Sequence, residues 1–91
     1  MVPIAHAIPR AVAELLRASP MSPGKVEFAW KTAVGPAIER GTAVRLEGRV
    51  LLVDVQTAAW GREVSRSSRI ILKRMETLLG PGVIQELRVR V

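Results

Sequence analysis

The chain has 91 residues, which is one domain near the lower size limit of independent folding. Hydrophobic residues make up 48% and charged residues 24%, so a core is available and disorder over most of the length is excluded. There is no cysteine, which excludes disulfides, thiolate chemistry and Cys-based metal sites. The net charge is +6 with a pI near 11.4, and eleven of the fourteen basic residues are Arg. Guanidinium groups stay charged and fork onto phosphate oxygens, so the balance points to a polyanion or an acidic protein surface as partner. The same composition also follows from a GC-rich genome or thermal adaptation, so by itself it leaves the partner open.

The organisation expected is an N-terminal arm over residues 1–8 and a single domain over residues 9–91. The arm is apolar but short, lacks a basic start and is interrupted by Pro3 and Pro9. It does not read as a secretory signal. No apolar run approaches the roughly 20 residues of a membrane span. The cytoplasm is therefore the expected compartment.

Pro9 suits the first position of a helix. Ile8, Val12, Leu15 and Leu16 follow at helical spacing, and Ser19-Pro20 stops the run. Ser22 and Pro23 open a second helix as cap and first-turn residue. Val26, Ala29, Trp30, Ala33, Ala37 and Ile38 line one face of it. Pro36 within this stretch removes a donor and predicts a kink or a short restart. Gly41 ends the segment.

A hairpin comes next, with strands over 42–47 and 49–56 and Gly48 in the turn. Leu51, Val53 and Val55 share one face of a largely buried strand. A third long helix is expected over 58–79, closed by Gly80-Pro81-Gly82. Trp60, Val64, Ile71, Met75 and Leu78 fall on its apolar face. Arg62, Arg66, Arg69 and Lys73 fall on the opposite one, at steps of four, three and four. A strand over 83–91 closes the chain, with Leu87, Val89 and Val91 alternating with Glu86, Arg88 and Arg90. The order is α-α-β-β-α-β. This is an α+β domain whose three-stranded sheet buries one face under helices, with the last helix as a β-α-β crossover.

Catalytic constellations are missing. His6 is the sole histidine, and a lone His in an arm reads as solvated. Without Cys or a second His, no transition-metal site is plausible. Asp54, the sole Asp, reads as a solvated or ion-paired strand carboxylate. Ser65, Ser67 and Ser68 lack a histidine base. Gly80-Pro81-Gly82 is a helix stop and not a phosphate cradle. The expectation is a binding protein with no cofactor, not an enzyme.

The stripe of Arg62, Arg66, Arg69 and Lys73 would run about 16 Å along a helix, enough to follow several phosphates. The bland alternative is the wet face of an amphipathic helix. Such faces usually mix signs, and Glu76 is the acid expected near the stripe. Arg45, Arg88 and Arg90, with Arg49, form a second candidate region if sheet order allows. Their alternative role is to discourage edge pairing. Aromatics are 3% of the chain, and Trp30 and Trp60 fall on apolar faces. Binding directed at a nucleic-acid backbone is thus the better expectation than base stacking.

Two stretches carry a family resemblance. One is Trp30-Lys31-Thr32-Ala33-Val34-Gly35-Pro36-Ala37-Ile38. The other runs from Gly48 through Leu51-Leu52-Val53-Asp54-Val55 to Trp60, a turn glycine, an apolar strand and a Trp opening a helix. With Ile71-Leu72-Lys73-Arg74-Met75 and Leu78-Leu79-Gly80 before a closing strand, the pattern from Pro9 to Val91 resembles the DciA-like bacterial replicative-helicase loaders. The resemblance implies a KH-like fold of the second topological type. It implies engagement of a DnaB-like replicative helicase and of single-stranded DNA, without nucleotide hydrolysis by the loader. The Gly-x-x-Gly loop of RNA-binding KH domains is absent, so their nucleic-acid groove is not carried over. Helicase contact is expected through the folded domain or the N-terminal arm. The rivals are a general KH-like RNA-binding protein and a protein-binding module without nucleic-acid activity. A homo-oligomer formed through Val2, Ile4 and Ile8 is a further possibility.

Overall fold

The computed structural model describes residues 8–91. Its elements are α1 (Arg10–Ala18), α2 (Pro23–Val34), α3 (Pro36–Arg40), β1 (Thr42–Glu47), β2 (Val50–Val55), α4 (Ala58–Arg66), α5 (Ser68–Leu79) and β3 (Glu86–Arg90). The α+β class and the helix-covered three-stranded sheet are as read from the sequence. The order is compatible with the KH-like arrangement that the resemblance implies. Helix α2 starts where its residues dictate: Pro23 occupies the first turn, and the Ser22 hydroxyl accepts from the Lys25 N–H at 3.1 Å.

Two of the expected helices are each divided in two. At Gly35 the backbone takes φ 84° and ψ 169°, which glycine tolerates, and Pro36 restarts the chain as α3. This is the restart that Pro36 predicts. The second division corrects the expectation of one helix over 58–79. Ser67 has φ −96° and ψ 7°, well off the helical ψ of about −42°. The Ser67 N–H is shared between Glu63 C=O and Val64 C=O, both at 3.2 Å, a tightened last turn that closes α4. The closing strand also begins later than residue 83. Gly82, at φ 80°, turns the chain, and Gln85 N–H reaches Arg49 C=O at 2.7 Å before the ladder starts at Glu86.

The sheet order is β1-β2-β3, with β1 antiparallel and β3 parallel to β2. The hairpin turn is Gly48-Arg49, with φ 60° at Gly48 and no positive φ at Arg49, the pattern of a type II′ turn. Leu51, Val53 and Val55 of β2 point to the helices with Val44, Leu46, Leu87 and Val89. There they meet Val26, Trp30, Val34, Ile38, Val64, Ile71, Met75 and Leu78. The other face of the sheet carries no helix. Its central Leu52 is nonetheless buried, between Arg45 and Arg88 in register.

Two cations tie helix ends. Lys25 Nζ donates to Ser19 C=O at 2.7 Å, and Arg74 Nη1 donates to Ala33 C=O at 3.1 Å. Each satisfies a carbonyl that a helix C-terminus leaves free. Trp30 is 2% exposed and donates its indole N–H to Thr42 Oγ1 at 2.8 Å. The Thr42 hydroxyl donates in turn to Ile38 C=O at 2.8 Å, joining α2, α3 and β1. Trp60 is half-buried and lies over Gly41, where an added Cβ would come within 2.7 Å of its Nε1.

The expected arm up to Ala7, with His6, Val2 and Ile4, lies outside the described residues. Ile8 packs against the core.

Thr42→Val is expected to leave the Trp30 N–H buried and unpaired, costing about 1–3 kcal/mol in urea denaturation. Thr42→Ser keeps the hydroxyl and should lose much less. Gly41→Ala should lower stability by roughly 1–3 kcal/mol, because Trp60 must shift to admit the methyl group.

Candidate nucleic-acid interface

Helices α4 and α5 form the crossover between β2 and the parallel strand β3. Their apolar residues Val64, Ile71, Met75 and Leu78 are fully buried, which turns the opposite sides to solvent. Arg62 and Arg66 are exposed on α4, and Arg69 and Lys73 on α5. All four candidates of the stripe are therefore exposed, on two helical segments that meet at Ser67. Arg62, Arg69 and Lys73 take part in no ion pair among the described residues. Arg66 has a partner that the sequence reading missed. Glu63, one turn earlier, approaches its Nη1 at 3.5 Å, the limit of a hydrogen bond. The i, i+3 spacing was the available signal. Exposed pairs of this kind are worth little, so Arg66 remains available to a stronger anion.

Alongside α4 runs a shallow groove towards the free edge of β3. Arg62, Ser65 and Arg66 form one side of it, and Val89 and Val91 the other. Gly61 is buried on the side of α4 that faces Val55 and Val89. Ile70, 52% exposed, sits one turn before Lys73 and Arg74 and adds an apolar element beside the stripe. The groove was not legible from spacing alone, and Ile70 was overlooked. The first needs the β3–α4 contact; the second was within reach of spacing, since Ile70 lies four residues after Arg66 and three before Lys73, but the reading took only the cations of that face.

The second candidate region is built differently. Arg45, Arg88 and Arg90 stand on the helix-free face of the sheet, so the two regions do not merge. Each is held by a carboxylate. Arg45 Nε lies 2.9 Å from Glu47, Arg88 Nη2 lies 2.9 Å from Glu86, and Arg90 binds both oxygens of Asp54 at 2.9 and 3.3 Å. The Asp54 hydrogen bond and charge raise the Arg90 pKa above its ordinary value, with a smaller contribution from Glu47. Of the two readings open for Asp54, solvated or ion-paired, the structure shows the ion pair. Three Arg opposite three acids make this face locally neutral.

No group of His, Cys, Asp and Glu suited to hold a metal occurs among the described residues. No helix of the described residues is long and apolar enough to cross a membrane. Comparison with known protein families matches residues 3–89 to the family described as Dna[CI] antecedent, DciA. The chain belongs to the DciA family. Among curated proteins no match was found. Membership ties the chain to replicative-helicase loading in DNA replication. The match spans both Trp landmarks, the hairpin between them, the stripe and nearly all of β3.

Neutralising the sheet acids with Glu47→Gln, Asp54→Asn and Glu86→Gln is expected to free three arginines. In anisotropy titrations with single-stranded DNA the salt slope should then steepen by roughly 0.7 for each added phosphate contact.

Proposed function

We propose that this DciA protein is a non-enzymatic adaptor that binds single-stranded DNA along Arg62, Arg66, Arg69 and Lys73 while it engages a DnaB-like replicative helicase. The observation that carries the reading is the stripe itself. Four cations are exposed on the crossover helices, and three of them have no carboxylate partner among the described residues. Phosphate contacts made by such side chains fix position without reading sequence. Bases splayed from the strand would rest on Ile70 and on the Val89–Val91 side of the groove. Arg45, Arg88 and Arg90 contribute only where phosphate displaces Glu47, Asp54 and Glu86, so their share is smaller.

The reading predicts salt-sensitive affinity for labelled single-stranded DNA. The slope of log affinity against log salt should be near −2 to −3, at roughly −0.7 for each of three or four phosphates. Arg66→Glu with Arg69→Glu should reduce affinity by at least about tenfold at 0.1 M salt, a loss of ~1.4 kcal/mol or more, with an unchanged circular dichroism spectrum. Affinity equal to that of the parent chain would remove the stripe from the proposal. Capture of the helicase by the double variant would separate the two contacts. A preference for structured RNA over single-stranded DNA in direct competition would favour the RNA-binding rival.

A further inference from the structure

The sheet has a second free edge, β1, and its surroundings are opposite in charge to those of β3. Two adjoining concavities of about 210 and 230 Å³ run between β1 and α2. Val26 and Trp30 form their floor, Val44 and Leu46 one wall, and Glu27 and Glu39 stand at the rim. Neither glutamate takes part in an ion pair among the described residues. Arg45, at the lower mouth, is already held by Glu47. In a chain of net charge +6, this strand edge is flanked by available carboxylates.

The backbone of β1 is ready for a further strand. Gln56 N–H donates to Gly41 C=O, which fixes the hydrogen-bonded pairs of the β1–β2 ladder. By alternation these are Ala43–Asp54, Arg45–Leu52 and Glu47–Val50. The N–H and C=O groups of Thr42, Val44 and Leu46 therefore point outward along the edge. Their side chains point to the helix side and are half-buried. An incoming strand would find hydrogen-bond partners at every second residue.

We propose that the β1–α2 groove binds an extended, cationic segment of a partner polypeptide by strand addition. The occupant is defined by two inward-facing positions, two residues apart. A Lys or Arg lies opposite Thr42–Val44, where Glu27 and Glu39 converge. An apolar residue lies opposite Val44–Leu46, over Val26. The long-range repulsion from the net charge is screened beyond about 8 Å at physiological salt, whereas the two carboxylates act at contact distance. The stripe on α4 and α5 takes no part, so this site stands independently of the DNA reading.

The test uses the full chain labelled with ¹⁵N and two capped ten-residue synthetic peptides of alternating apolar and polar residues. One peptide carries Arg at the inward charged position, and the other carries Glu there. The Arg peptide should shift the amide signals of Thr42, Val44 and Leu46. Glu27→Gln with Glu39→Gln should weaken it about tenfold, as expected for losing two charge-assisted contacts. N-methylation of the Arg peptide at alternate residues should abolish binding with the protein itself unaltered. Equal shifts from the Glu peptide, full binding by the N-methylated peptide, or shifts confined to α4, α5 and β3 would each overturn the proposal. Self-association of the chain that is lost in the Glu27 and Glu39 variant would overturn it too, since the occupant would then be a second copy.

Discussion

Strand β2 must be satisfied on both edges. It takes β1 antiparallel on one side, across the two-residue turn at Gly48-Arg49, and β3 parallel on the other. A parallel neighbour cannot be reached by a tight turn, so the chain has to leave the end of β2 and travel back before β3 can start. Residues 56–85 make that journey, and α4 and α5 are its substance. The placement of the basic stripe follows from this topological demand. The helices that return the chain must bury Val64, Ile71, Met75 and Leu78, and what remains on their outer sides is Arg62, Arg66, Arg69 and Lys73.

Basic residues serve three different ends in this domain. Lys25 and Arg74 close helix C-termini and are part of the scaffold. Arg45, Arg88 and Arg90 lie on the open face of the sheet with acids beside them, where they shelter Leu52 and keep that face neutral. The stripe residues are left with little to hold. Arg10, Arg17, Lys31, Arg40 and Arg49 are also exposed and take part in no ion pair among the described residues, so the basic surface extends beyond the stripe.

Much of the fold was legible because local signals agreed with one another. The Ser22 cap, the restart at Pro36, the Gly48 turn and the stop at Gly80 each act through the residue's own backbone preferences. The closing strand, with Leu87 and Val89 turned to the helices, follows from period-two alternation. The break at Ser67 was hidden because apolar spacing runs through it without interruption, from Trp60 and Val64 to Ile71 and Met75. Periodicity reports which face is buried and does not report where the hydrogen-bond ladder lapses. The stripe residues were legible for the same reason, as the complement of a buried face. The pairing of Arg88 and Arg90 with carboxylates was only partly so. Arg88 meets an acid two positions away on its own strand, but Arg90 meets Asp54 across a pairing that no local pattern specifies. The Glu27–Glu39 rim joins α2 to α3 beside β1, and residues twelve apart converge only once Trp30 is anchored on Thr42.

The interruption at Ser67 also bears on mechanical compliance. A charged ridge on one straight helix would offer the same rail to any polyanion, rigid or flexible. A ridge that changes direction midway asks its ligand to follow the turn. Duplex DNA, with a persistence length of about 50 nm, resists bending over the roughly 16 Å of such a surface. A single strand has no such stiffness and can follow both halves of the ridge. Under the proposed function, the non-helical backbone at Ser67 therefore favours a flexible single strand over a stiff duplex.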